Sequence, residues 1–352
     1  MRQDAITGCI LGTAVGDALG LPYEGLTPKR AARLFKEIDQ YHFFLKHGMV
    51  SDDTEHTCLV AQSLIIADGD PGKFIKDLSR RLRYWLLGLP GGVGFATLRS
   101  ILKLWMGFSP EKSGVYSAGN GPAMRSAVIG VAYGSEPDKM KAFVRNSTII
   151  THSDPKAYFG ALGVALAAHM NAAENIIKGD DYIEKLRKLL PDPDSDEFIG
   201  LVSRALNSSL KSRSTKQFAE ELKLEKGITG YIYHTVPMVI HSWLTHPKDF
   251  RSGVLDIISC GGDTDTTAAI LGGIIGAGVG KEDIPGEWLD RLWEWPRTVK
   301  WMEKLAKQLK SSLDGESHQK AVTVPFPLIV VRNLIFTIVI LMHGFRRMFP
   351  PY

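Results

Sequence analysis

Apolar positions along this chain recur three or four residues apart far more often than they alternate. That period belongs to helices buried on one face rather than to half-buried strands. Residues 6–20, 74–87, 97–105, 123–133, 156–173, 198–210, 217–224, 231–244, 268–280 and 288–309 each read as a helix, divided by turns that carry Gly or Pro. Leu26-Thr27-Pro28 marks another helix start. Residues 180–196 are charged and contain prolines, and read as a surface excursion. With no long alternating run and no internal repeat, the pattern predicts a many-helix, all-α domain over residues 1–310.

One of these helices stands out. In 6–20, Gly8, Gly12, Gly16 and Gly20 fall on one face. Each glycine weakens a helix by about 1 kcal/mol relative to alanine. Four at this spacing make sense where another backbone approaches closely, so this helix is expected to be central. Asp17 lies in the same run and is expected to bond a neighbouring backbone or side chain rather than a ligand.

The candidate chemistry sits at helix starts. Gly261-Gly262-Asp263-Thr264-Asp265-Thr266-Thr267 precedes the apolar run 268–280, which places two carboxylates on a tight turn at a helix N-terminus. Carboxylates suit that position, because the first-turn N–H groups are unsatisfied and the dipole favours negative charge. A cap needs only one, however. Two carboxylates with a hydroxyl also suit a hard divalent cation such as Mg²⁺ or Mn²⁺. Ser51-Asp52-Asp53-Thr54 precedes Cys58, Ala61, Ile65 and Ile66 at helical spacing, so it too starts a helix. A capping-box-like turn, with Asp52 as cap and Glu55 three residues on, accounts for one of these aspartates and not for both. Capping and cation binding stay open for each cluster alone. Together they offer four carboxylates and at least two hydroxyls, the makings of a two-cation site if they meet in space.

Two glycine-rich loops add to this. Ser117-Ala118-Gly119-Asn120-Gly121-Pro122 opens onto the run 123–133. Bare N–H groups at such a point can hold a phosphate, but the loop is neither a P-loop nor a dinucleotide fingerprint, and taken alone it reads better as a structural turn. Leu89-Pro90-Gly91-Gly92-Val93-Gly94 is a loop that no regular element tolerates. Thr151-His152-Ser153-Asp154-Pro155 caps the helix 156–173, with Pro155 at its first position and His152 a bystander. Glu24, in a loop after Pro22, reads by itself as a solvated carboxylate.

Composition narrows the class. The 352 residues are 44% apolar and 23% charged, as in an ordinary globular protein. A net charge of +4 gives no case for nucleic-acid binding. Cys9, Cys58 and Cys260 are far apart and odd in number, so free thiols in a reducing, cytoplasmic setting are expected. The first 20 residues carry Asp4 and Asp17 and do not read as a signal peptide. Residues 311–323 are polar and Ser-rich, as a linker is. Residues 324–352 form an apolar tail, near the length of a membrane span. Pro325 and Pro327 break its start, Arg332 falls inside it, and the uninterrupted part, 334–342, is too short to cross. The tail is therefore expected to lie on the domain, on a partner subunit or in a membrane interface, and to supply no catalytic group, since the motifs all lie before residue 270.

Taken in order, Gly16-Asp17-Ala18-Leu19-Gly20 with Glu24, Ser51-Asp52-Asp53-Thr54, Gly119-Asn120-Gly121-Pro122-Ala123-Met124-Arg125, Thr151-His152 and Gly262-Asp263-Thr264-Asp265-Thr266 resemble the motifs of the ADP-ribosylglycohydrolases. The resemblance runs from about residue 8 to 295. It implies an all-α fold with two Mg²⁺ or Mn²⁺ ions, and by motif position Ser51, Asp52, Asp53, Asp263, Asp265 and Thr266 as their ligands. Glu24, Asp52, Asp53 and Asp265 are then the catalytic carboxylates, with Glu24 a gate or proton-handling group beside the metals. Gly119, Asn120, Gly121 and Met124 cradle the phosphates of ADP-ribose, and His152 approaches sugar or phosphate. The implied reaction breaks the glycosidic bond at C1″ of the distal ribose and frees ADP-ribose from a modified protein or small-molecule acceptor, through a transition state of oxocarbenium character. Two features depart from or compete with this reading. Many family members carry an acidic residue before a glycine in a loop where this chain has Gly91-Gly92-Val93-Gly94, which leaves the general base unassigned. The alternatives are a non-catalytic ADP-ribose-binding or crystallin-like structural protein, and a two-metal nucleotide pyrophosphatase releasing AMP.

Overall fold

The computed structural model describes residues 3–316 and 320–350, so parts of the 311–323 linker and of the 324–352 tail lie outside the described residues. Eighteen α-helices, three short 3-10 turns and no strand occur among the described residues, so the all-α expectation holds. In chain order they are α1 (Gln3–Gly20), α2 (Pro28–Leu34), α3 (Asp52–Ala67), α4 (Pro71–Leu87), α5 (Phe95–Trp105), α6 (Pro110–Ser113), α7 (Ala127–Tyr133), α8 (Pro137–Ile149) and α9 (Pro155–Ala173). Then follow α10 (Gly179–Leu189), α11 (Asp196–Leu210), α12 (Thr215–Glu221), α13 (Ile232–Thr245), α14 (Phe250–Ile258), α15 (Thr264–Val279), α16 (Gly286–Asp290), α17 (Val299–Leu313) and α18 (Phe326–Arg346).

The fold is built on α1 against α15. A Cβ added at Gly8, Gly12, Gly16 or Gly20 would lie 2.1, 2.2, 2.0 or 2.3 Å from the carbonyl oxygen of Gly276, Gly272, Ala268 or Thr264. The partner falls by four as the glycine rises by four, so the two helices run antiparallel with backbones in contact. This is the close approach that the glycine face implied. It brings the C-terminal end of α1 to the N-terminal end of α15, and the remaining long helices cover this buried pair.

Three local expectations are corrected. Residues 180–196 are no loose excursion: α10 buries Tyr182, Leu186 and Leu189, and the Tyr182 hydroxyl donates to Gly163 O at 3.0 Å. Their spacing of four and three makes one apolar stripe on a helix whose other faces are charged. Residues 288–309 are two helices, α16 and α17, because Pro296 lacks the N–H a continuing helix needs. The cap of α3 is Ser51, whose hydroxyl accepts from Asp53 N at 3.3 Å, and not Asp52. Glu55 closes no capping box, since its carboxylate is taken by Trp85 and Arg297.

The described part of the tail holds a single helix, α18. Pro325 and Pro327 start α18 rather than break it, as proline fits the first turn of a helix. Its 21 residues span about 31 Å, more than the short run expected. Arg332, Asn333, Phe336 and Val339 face inward. Asn333 Nδ2 donates to Gly88 O at 2.8 Å, and Phe336 joins Leu21, Phe43 and Met49 in a small second core. Among the described residues two helices, α18 and the 94%-buried α1, are long and apolar enough to cross a membrane; α1 is plainly the core helix.

Candidate active site

Asp17 links the N-terminal region to the first acidic cluster. Its carboxylate accepts from Ser51 N at 2.9 Å, from Thr54 N at 3.1 Å and from the Thr54 hydroxyl at 2.5 Å. It thus satisfies first-turn N–H groups of α3 from another helix, and it fixes where Asp52 and Asp53 stand. Burial pushes its carboxyl up to about 7, against the pull of these bonds. The second cluster is set by Gly261 and Gly262, both at positive φ. A Cβ at Gly262 would lie 2.0 Å from Ile228 O. Gly262 N donates to Leu26 O and Asp263 N to Ile228 O, at 2.9 and 2.8 Å, so the turn is pinned from both sides.

The antiparallel pairing then joins the clusters. Thr266 Oγ1 donates to Asp53 Oδ2 at 3.2 Å, and Ser51 Oγ donates to the same oxygen at 3.0 Å. Asn120 Nδ2 donates to Asp263 Oδ2 at 2.7 Å, which ties the 119–124 loop to the acidic floor. A cavity of about 750 Å³ opens here, lined by Glu24, Ser51, Asp52, Asp263, Asp265, Thr266, Gly119, Asn120, Gly121, Met124 and His152. Every sequence-selected site residue except Asp53 reaches its surface; Asp53 lies buried behind Ser51 and Thr266.

The electrostatics are unusual. Burial, and then the neighbouring carboxylates, hold Asp52, Asp53 and Asp265 well above the ordinary aspartate range. Glu24 is raised as well, by burial and by Asp263. Its side chain meets solvent, yet that solvent fills a recess walled by protein. Asp53 Oδ1 and Asp265 Oδ1 are buried and have no hydrogen-bond partner. Orphaned carboxylate oxygens are costly, and they are expected where a bound group completes the site. Among the described residues no three acidic or histidine side chains converge on a single point. The donor set is instead spread along the floor and mixed with the Ser51 and Thr266 hydroxyls, all of it the hard oxygen chemistry that Mg²⁺ and Mn²⁺ prefer.

His152 is no bystander. Its ring stands over the glycine loop, so that a Cβ at Gly119 would lie 3.0 Å from Nε2 and one at Gly121 3.1 Å from Cε1. Nδ1 pairs with the Thr151 hydroxyl at 2.9 Å, which in turn accepts from buried Arg125 at 2.7 Å. Burial and then Arg125 push the imidazole down to about 3, so it is neutral. Sequence reasoning missed the role of Asn120 as a clamp on Asp263, and foresaw the apolar C-terminal tail but not its place beside the cavity. Phe336, Ile340, His343, Gly344 and Arg347 of the tail line the cavity. No local signal identifies them, since they reach the site from beyond a polar stretch.

A helical domain with a carboxylate-rich cleft beside a glycine loop has the makings of a hydrolase that takes an anionic substrate. A family model described as ADP-ribosylglycohydrolase matches residues 1–319, and the chain belongs to that family. It is 28% identical to the ADP-ribosylhydrolase ARH3 of Gallus gallus, over 80% of this chain and 87% of the relative. It is likewise 28% identical to the ADP-ribosyl-[dinitrogen reductase] glycohydrolase of Rhodospirillum rubrum, over 82% and 90%. An uncharacterised protein of Archaeoglobus fulgidus is 30% identical over 87% of this chain and 96% of its own. A solved structure titled ADP-ribosylglycohydrolase-related protein complex superposes with a TM-score of 0.62 at 26% identity, covering 89% of this chain and 99% of the other. The protein is thus a glycohydrolase, and the non-catalytic alternative falls away.

Proposed function

We propose that the enzyme hydrolyses the bond at C1″ of ADP-ribose with the help of two divalent cations, Mg²⁺ or Mn²⁺, held by Ser51, Asp52, Asp53, Asp263, Asp265 and Thr266. The observation that carries this is the pair of orphaned oxygens, Asp53 Oδ1 and Asp265 Oδ1, on helices that meet only in the fold. Bound there, the cations supply charge stabilisation and a water of lowered pKa. The chain's own residues do the rest. The 119–124 loop presents backbone to the phosphates, where a side chain would block approach. His152, neutral, is placed to hydrogen-bond sugar or phosphate. The carboxylates of Asp52, Asp53 and Asp265 stabilise the positive charge that grows at C1″ as the bond lengthens. Glu24, with its raised pKa, is suited to handle the proton. In balance, the water oxygen becomes the C1″ hydroxyl, one of its protons ends on the leaving atom of the acceptor, and free ADP-ribose departs.

Purified protein with Mg²⁺ or Mn²⁺, offered a panel of ADP-ribosylated peptides and small molecules, is expected to release ADP-ribose. Gly121→Leu is expected to weaken ADP-ribose binding by about tenfold or more by filling the phosphate approach. Release of AMP would instead identify a pyrophosphatase, and unchanged ADP-ribose affinity in a folded Gly121→Leu protein would remove the loop from the site.

We further propose a cytoplasmic enzyme whose α18 rests against an anionic lipid surface. The helix is inverted: Arg332 and Asn333 face the domain, whereas Leu334, Ile335, Ile338, Leu341 and Phe345 face out. No acidic residue follows Glu316, and exposed Arg346 lies at the end of the helix. Such a face suits shallow insertion beneath anionic headgroups. The full chain is expected to sediment with anionic phospholipid vesicles, and Leu334→Glu with Ile338→Glu to stay in solution. A wild-type chain that ignores the vesicles refutes this placement.

A further inference from the structure

The family match ends at residue 319, but the cavity does not. Residues of α18 and the next turn close one side of it, and their position is fixed by bonds. Arg347 Nη1 donates to Glu24 O at 2.8 Å and Nη2 donates to Pro22 O at 2.6 Å, while Arg30 donates to the Arg347 carbonyl. His343 pairs with Phe43 O. Phe336 and Ile340 lie over Gly91, within 3.0 Å of where its Cβ would be. The Arg347 guanidinium is held beside Glu24 and Asp265, and its Nε–H is buried without a partner. The binding groups therefore divide around the acidic floor. The 119–124 loop with His152 borders Asp263, whereas α18 and the 91–94 loop border Glu24, Asp265 and Asp52.

A substrate whose phosphates lie on the glycine loop, with C1″ at the carboxylates, must send its acceptor past the remaining rim. We propose that α18 is the acceptor-side wall of the active site, and that Arg347 selects neutral or anionic leaving groups over guanidinium ones. The inference rests on the glycohydrolase reading above. A cationic acceptor entering beside Arg347 meets a fixed like charge in a recess poorly screened by solvent, and such juxtapositions discriminate strongly between partners. A neutral hydroxyl or a phosphate escapes that penalty. Gly344 tests the wall independently of the charge. It lines the cavity, and a Cβ added there meets nothing within 4 Å, so a large side chain grows into the space an acceptor would use.

The experiment uses the full chain, Arg347→Ala, Arg347→Lys and Gly344→Trp. The kcat/KM is measured on ADP-ribose joined to a serine peptide, to phosphate and to an arginine peptide, and the Kd of free ADP-ribose by calorimetry. The wild type is expected to favour the serine and phosphate substrates. Arg347→Ala is expected to raise the arginine-to-serine ratio about tenfold, with Arg347→Lys retaining the wild-type preference. Gly344→Trp is expected to lower kcat/KM for both peptides while ADP-ribose binds within about twofold of wild type. An unchanged ratio in folded Arg347→Ala, or unimpaired peptide turnover in Gly344→Trp, overturns the proposal. Loss of free ADP-ribose affinity in Gly344→Trp overturns it too, by placing α18 on the nucleotide side. A wild type that neither binds ADP-ribose nor cleaves any of the three substrates overturns the glycohydrolase reading itself, a pattern distinct from an altered acceptor preference.

Discussion

Asp53→Asn and Asp265→Asn are each expected to reduce kcat by about a thousandfold or more while leaving the metal-free protein as stable as before, or more so. The two halves of the expectation share one cause. Both carboxylates are buried, surrounded by other carboxylates and one oxygen short of satisfaction. Without a cation, holding them there costs free energy, and a neutral amide of the same shape relieves about 1–3 kcal/mol of it. In Asp53→Asn the amide oxygen can still accept from the Ser51 and Thr266 hydroxyls, so the local bonds survive. With a cation the order reverses. Mg²⁺ or Mn²⁺ at about a hundred times its Kd adds about 2.7 kcal/mol to the wild type and much less to either variant. Melting curves with and without metal, together with turnover, separate these effects. Full activity in metal-stripped protein, or in both variants, would remove the cation site; a variant that is inactive merely because it is unfolded would show at once in the metal-free melt.

That site was half visible in the sequence. Each acidic cluster is local: a few adjacent residues and the apolar run behind them place it at a helix start. The α1 glycines were legible for the same reason, since four of them at intervals of four announce a contacting backbone. The identity of that backbone was not legible. Gly8 to Gly20 meet residues 264–276, and only this antiparallel docking brings Asp53 to Thr266. The role of Asp17 was readable as a type, a buried carboxylate bonded to backbone, but its target on α3 was not. Misreadings arose where local cues competed. In α10 the density of charge masked a stripe made by Tyr182, Leu186 and Leu189. In 288–309 the apolar period suggested continuity that Pro296 forbids. Arg332 stood out in the sequence only as a charge inside an apolar run; its partner Glu294, 38 positions away, carried no local signal.

That pairing makes Arg332→Leu the largest expected loss of stability outside the site, about 3–5 kcal/mol. Arg332 Nη2 donates to Glu294 Oε2 and to Val50 O, both at 2.6 Å, and Nη1 lies 3.6 Å from Glu55 Oε1. Arg297 Nη1 reaches Glu55 Oε1 at 2.6 Å, and Trp85 Nε1 donates to the other oxygen. Two buried glutamates thus face two buried guanidiniums. Burial raises Glu294 even in the presence of Arg332, whereas at Glu55 the two guanidiniums outweigh burial and lower it. Without Arg332, Glu294 keeps the Val50 N–H on Oε2 at 3.2 Å and Arg297 4.0 Å away, and must bury its charge without a close cation or take up a proton. The Val50 carbonyl, one residue before the α3 cap, loses its partner as well. Arg332→Leu combined with Glu294→Gln is therefore expected to recover most of the loss, because the stranded charge goes with its partner. The urea midpoint of the two single variants and the double variant measures this coupling. An Arg332→Leu protein within about 0.5 kcal/mol of wild type would make α18 a passenger on the domain. The expected result instead makes the last helix a clamp, one whose removal loosens residues 50–52 at the edge of the active site.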